Sequence, residues 1–241
     1  MDNIFEFSKK LEVNINKFSK VIKEFAESES MKKIEFYGSA ISSLQKLGEK
    51  YNWVVITPNI NINIVNKDKE EINNYFISLI ENDSALYESI KKELLESHIL
   101  ISKKELIVQI INDINCNNYW ISSIALSNIL EFLLASESNY NETKMFILKS
   151  NFIDNVGDIS IKEYELGFLF GLDGFLKNYI ASTSGFEEEK EPEYINRHWI
   201  AHGRMYRELT KIDLYQILFA VYAFVRIMDM ERRVKTEEDI Q

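Results

Sequence analysis

The stretch Leu214-Tyr215-Gln216-Ile217-Leu218-Phe219-Ala220-Val221-Tyr222-Ala223-Phe224-Val225 is apolar nearly all round. Thr210-Lys211-Ile212-Asp213 stands just before it and supplies a helix cap. A helix with no polar face must be buried on most sides, so other elements surround it. What can surround it follows from the turn residues. The chain has 241 residues but only 8 Gly and 2 Pro. Sheet-rich folds need more turn formers than that. Hydrophobic residues make up 46% and aromatics 12%, enough for a sizeable core. The expected fold class is therefore all-α, a helical bundle with short connections.

Working outward, the segment Ile161 to about Ala181 opens on Ser160-Ile-Lys-Glu163, a capping box, and carries Gly167, Gly171 and Gly174 on one stripe. Each glycine costs a helix interior close to 1 kcal/mol relative to alanine. Three together predict that another backbone approaches there. Further helices are expected at Asn3–Ala26, Lys32–Tyr51, a segment capped by Asp68 with Glu71, Ala85–Ser97 capped by Ser84, Lys103–Asn115 opened by a Ser102/Glu105 box, Tyr119–Ala135 and Thr143–Asn155. Asn115-Cys116-Asn117-Asn118 is the best candidate boundary, giving an N-terminal helical region over 1–115 and a second helical domain over 116–241. The exception to the helices lies at Trp53–Val65, where Asn and Ile alternate from Asn59 to Ile64. Period two with β-branched residues reads as extended, either paired with another strand or laid as an arm across helices. The charged tail from Glu231 is expected to fray.

The formal net charge is −10. Tight nonspecific nucleic-acid binding depends on phosphate neutralisation, so any RNA site must be a local basic patch. A lone cysteine, Cys116, excludes an intrachain disulfide and has no neighbour to activate it. With no charged-then-apolar start and no long apolar run, the expected location is cytoplasmic, away from membranes.

The residues that carry chemistry cluster in Asn196-Arg197-His198-Trp199-Ile200-Ala201-His202-Gly203, expected on a helix from about Glu193 to His202 that Gly203 ends in a left-handed conformation. Arg grips phosphate with a rigid fork, and His exchanges protons near neutral pH. Five helical residues correspond to about 500°, so Arg197 and His202 sit roughly 140° apart and share no face. A plainer arrangement is also open, with Glu193 pairing Arg197 at i,i+4 and His202 merely ending the helix. At the helix C-terminus, the dipole would favour protonated His202. Arg204, Tyr206, Arg207 and Lys211 follow closely: a track for RNA phosphates with a stacking ring, or an ordinary solvated loop. Glu165 and Asp173, on the glycine-striped helix, are candidates to hold Arg197 or His202, Asp173 the stronger because it lies between two glycines. His198 and His202 form H-x3-H, but a third ligand is missing, so no metal or cofactor is expected.

Arg-x4-His, with a polar residue straight after the arginine and glycine after the histidine, resembles the signature of the HEPN superfamily. The resemblance extends over roughly the last half of the chain, where the motif lies between two apolar helices. It implies a small helical domain, a homodimer in which two motif helices form one cleft, and a metal-independent endoribonuclease in phage defence or toxin–antitoxin growth arrest, with RNA as substrate and an antitoxin or defence-system protein as a further partner. Arg197 and His202 would be catalytic, with Asn196, His198 and Asp173 in support. The other reading is a catalytically inactive scaffold of the same family that binds a partner protein or nucleotide.

Overall fold

A computed structural model describes residues 31–57, 60–136, 145–157, 163–181 and 190–238. The expected first helix, Asn3–Ala26, and the Ser160 cap lie outside them. Among the described residues the structure is all-helical and contains no strand. The helices are α1 (Met31–Tyr51), α2 (Lys69–Glu81), α3 (Ser84–Glu96), α4 (Lys104–Asn115), α5 (Tyr119–Ser136), α6 (Met145–Gly157), α7 (Glu163–Tyr179), α8 (Arg197–Ala201) and α9 (Lys211–Glu238).

Helix α9 is the axis. Every side chain from Asp213 to Val225 is buried. Asp213 closes its first turn by accepting from the Thr210 backbone N–H at 2.8 Å and the Thr210 hydroxyl at 2.9 Å. Helices α5 and α7 pack directly on α9, α1 lies on α7, α4 on α5, and α2 and α3 close another side. The main hydrophobic core takes in residues from Leu47 to Met228, on both sides of the candidate boundary at Cys116. The charged tail is helical through Glu238 rather than frayed from Glu231.

The glycine stripe does what its spacing predicts. A Cβ placed on Gly174 would lie 2.7 Å from the Glu49 backbone nitrogen, and one on Gly48 only 2.3 Å from the Gly171 carbonyl oxygen. Helices α1 and α7 therefore touch backbone to backbone. Gly167 differs, since its Cβ would meet only the Leu44 side chain at 3.4 Å.

The segment after α1 corrects the extended reading. Asn52 turns the chain in a left-handed conformation (φ 61°), and Trp53–Ile56 then run buried without regular structure. Trp53 donates to Asn73 Oδ1 at 2.8 Å and stacks on Phe76 with ring centres 4.7 Å apart. That part is an arm across helices. The Asn-Ile alternation is not a strand: Ile62–Asn66 form a 3-10 helix, because the Asn61 side chain accepts from the Asn63 N–H and starts a turn. Ile64 and Val65 are adjacent yet both buried, as a tight helical turn allows and a strand face does not.

Local caps divide similarly. Asp68 and Glu71 form the reciprocal capping box expected of them. Helix α3 is capped by Asp83, not Ser84. The Ser102/Glu105 box does not form, because residues 101–103 make a 3-10 turn and α4 begins at Lys104 without a side-chain cap.

Candidate functional site

The motif helix is shorter than its sequence suggests. It starts at Arg197, not near Glu193, because Asn196 is a strong N-cap: its side-chain oxygen accepts from His198 N at 3.0 Å and Trp199 N at 3.3 Å. The amide nitrogen of the same side chain donates to the Asn178 and Ala181 carbonyls, at 3.0 and 3.1 Å. Asn196 is therefore buried and pins the start of α8 to the end of α7. The far end closes in a Schellman motif, with Gly203 N bonded to Ile200 O at 3.1 Å and Arg204 N to Trp199 O at 2.8 Å. Gly203 is in the left-handed region at φ 63°, as expected.

These two caps fix where the chemical groups lie. Arg197, the first helical residue, forms a fork with Glu131 on α5: Nε to Oε1 at 2.7 Å and Nη2 to Oε2 at 3.2 Å. The carboxylate holds the arginine pKa above its ordinary value, against a smaller opposing effect of burial. With no helix at Glu193, the i,i+4 pairing does not exist, and Glu193 instead pairs with Lys69. His202, the C-cap, is exposed, and its ring meets the His198 ring edge-on at 4.5 Å between centres. So Arg197 and the two histidines share one short turn, with the arginine directed toward α5.

Asp173 does not hold the motif. It is buried on α7 and pairs with Lys149 of α6 at 2.8 Å and with Lys177 at 3.5 Å. Burial lowers the Lys149 pKa, and Asp173 opposes that. The carboxylate that holds Arg197, Glu131, escaped the sequence reading. The side chain of Glu165 lies outside the described residues. Beneath the motif sits Tyr179, fully buried, its hydroxyl 2.5 Å from that of Ser127.

The candidate RNA track is largely engaged within the protein. Arg204 is buried, with its guanidinium 4.3 Å from the Trp199 ring centre, where it fills the contact a Schellman motif favours. Arg207 forks onto Asp213 at 2.7 and 2.8 Å, and its backbone N–H donates to Glu191. Lys211 pairs with Glu81. Tyr206 alone of this group projects fully, at 86% exposure. Trp199, Met205 and Leu209 form a small second core under the loop.

Among the described residues no three of His, Cys, Asp and Glu converge as metal ligands. Helix α5 is long and apolar enough to cross a membrane by length and composition, but it buries Leu126, Ile129, Leu130, Leu133 and Leu134 against its neighbours. No family model, curated protein or solved structure matches the chain.

Proposed function

We propose that the chain is a metal-independent endoribonuclease of the HEPN type, acting in phage defence or toxin–antitoxin growth arrest in the cytoplasm. The observation that carries this reading is the doubly capped helix α8, which gathers Arg197, His198 and an exposed His202 on one turn. In the proposed reaction a histidine takes the proton of an RNA 2′-hydroxyl. The freed oxygen attacks the adjacent phosphorus, the bond to the 5′-oxygen breaks, and that oxygen leaves with a proton from a second histidine of the cleft. The products are a 2′,3′-cyclic phosphate and a 5′-hydroxyl, as the family resemblance implies. His202 performs proton transfer, with His198 in ring contact as its relay or partner. Arg197 neutralises the charge that builds on phosphate, keeping Glu131 on its Nε edge and turning its Nη1 edge to the phosphate. A two-fold dimer brings two such turns to one cleft, which compensates for the divergence of Arg197 and His202 within a protomer. Tyr206 is placed to stack on a base.

The test is purified protein with total RNA in excess chelator, beside Arg197→Ala, Arg197→Lys and His202→Ala. Cleavage by wild type and its loss in all three variants is expected, with a dimer in light scattering. Cleavage that stops with chelator and survives His202→Ala overturns the reading.

A second reading is a silent scaffold of the same family. It is favoured by the engagement of Arg197, Arg207 and Lys211 with carboxylates, which leaves little positive charge for RNA on a chain of net charge −10. A wild type that binds a partner or nucleotide but cuts no RNA supports it.

A further inference from the structure

A hollow of about 720 Å³ lies where the end of α1, the start of α2 and the segment before the motif helix meet. It is an open depression in the surface, not an enclosed cavity. Lys50, Lys67 and Lys69 line it, beside Asp68 and Glu193. In a chain of net charge −10, a patch whose three lysines face three carboxylates, Asp68, Glu71 and Glu193, is less acidic than the molecule as a whole.

The acids hold the three cations unequally. Asp68 spends its carboxylate on the Glu71 N–H, as the cap of α2. Glu193 pairs with Lys69, but its side chain is 68% exposed and able to swing away. Lys67 faces Glu71 in a pair that is more than half exposed on both sides, which binds weakly. Lys50 has no carboxylate partner among the described residues; its ammonium lies 5.1 Å from the Tyr51 ring centre. Tyr194 supplies an aromatic wall, with the Lys69 ammonium 4.8 Å from its ring centre.

We propose that this hollow binds a small polyphosphate, either bare or carried by a nucleoside. The ligand would replace Glu193 on Lys69, one charge-assisted contact for another, and would add Lys50 and Lys67. A nucleobase would lie against Tyr194. The site also reaches the motif. The Tyr194 hydroxyl donates to the Lys50 carbonyl, and two residues later Asn196 caps α8. Displacing Glu193 therefore acts on the segment that sets Arg197, a regulatory consequence that rests on the ribonuclease reading, whereas the binding itself does not.

Calorimetric titration of the full chain with ATP, tripolyphosphate and adenosine tests it. Saturable one-to-one binding of ATP or tripolyphosphate, but not adenosine, is expected. The double variant Lys50→Ala/Lys69→Ala should weaken binding about 100-fold, one factor of ten for each lost contact. Glu193→Gln, which removes the competing charge, should tighten it several-fold. ATP binding tighter than tripolyphosphate assigns a nucleoside ligand, and equal affinity assigns the phosphates alone. The titration contains no RNA, so its outcome stands apart from success or failure of the ribonuclease reading. Absence of saturation by either anion in the millimolar range, or an unchanged affinity in the double lysine variant, overturns the proposal.

Discussion

Glu131 on α5 grips Arg197 on α8 through both carboxylate oxygens, across 66 residues of sequence. The pair is about one-quarter to one-third exposed, at 26% and 30%. Its contribution to stability is then about 1 kcal/mol or less, because water screens it and two side chains must be held still. Its effect on orientation is larger than its energy. Glu131→Ala should leave the urea midpoint nearly unchanged and, on the proposed ribonuclease reading, lower RNA cleavage about 10- to 100-fold, chiefly in kcat, as a misplaced catalytic group does. Glu131→Gln, which keeps one acceptor oxygen, should lie between. Unchanged cleavage in both variants would show that Arg197 finds its position without this partner.

The α1–α7 crossing makes a sharper stability prediction. Gly48→Ala would place a carbon 2.3 Å from a backbone carbonyl oxygen, which no side-chain movement relieves. A loss of about 3 kcal/mol is expected. For a chain of this length that corresponds to a fall in Tm of about 10 °C. Gly167→Ala meets only a leucine side chain at 3.4 Å and should be neutral or mildly stabilising. Thermal denaturation followed by circular dichroism compares the two directly. Similar Tm values would mean that the helices do not touch as described.

Lys149 and Asp173 are buried together, each side chain 5% exposed. Lys149→Ala should cost about 3–5 kcal/mol, since it leaves a carboxylate in the core with only the longer contact to Lys177. Replacing both partners at once, as Lys149→Met with Asp173→Leu, should recover most of that loss. Urea unfolding of the two variants reads the difference. A double variant no better than the single one would contradict the account.

At alkaline pH the tyrosines decide stability. Burial pushes the Tyr87 and Tyr194 hydroxyls from their ordinary value near 10 up to about 12. Burial raises those of Tyr179 and Tyr222 as well. A raised tyrosine pKa means that the unfolded chain releases its protons first. The stabilisation is fully present below pH 10 and is lost as the pH climbs toward 12. The part of the phenolate absorbance that comes from these buried tyrosines should therefore rise late and together with the loss of helical signal. Full ionisation of all tyrosines near pH 10, with the helices intact, would refute it.

Much of the architecture was readable because it rests on local spacing. The Asp68/Glu71 box needs only residues three apart. The stripe Gly167, Gly171, Gly174 announced a close backbone approach, although nothing in it named Gly48 as the other side. What was missed is of two kinds. Where two local patterns compete, the weaker-looking one won: Asn61 and Asn196 began turns with their side chains, converting an expected strand into a 3-10 helix and removing the first turn of the motif helix. Where pairing is distant, spacing is silent. Asp173 suits Arg197 by position, but Lys149 holds it, and Glu131, the only acid on the apolar helix α5, stands 66 residues from its arginine, beyond the reach of any local spacing. Arg207 and Lys211 read as a basic track because their partners, Asp213 on the next helix and Glu81 on α2, become neighbours only in the fold.

The glycine contact between α1 and α7 also sets an order of events during synthesis. Asn178 donates to the Glu49 carbonyl across 129 residues, and the surrounding crossing spans a similar length of chain. At typical translation speeds, α1 leaves the ribosome on the order of ten seconds before α7 exists to receive it. During that interval the face of α1 that carries Leu44 and Gly48 lacks the helix it packs on. Such a nascent chain is a natural client for chaperones, and slowing its elongation before α7 should increase aggregation more than slowing it afterwards.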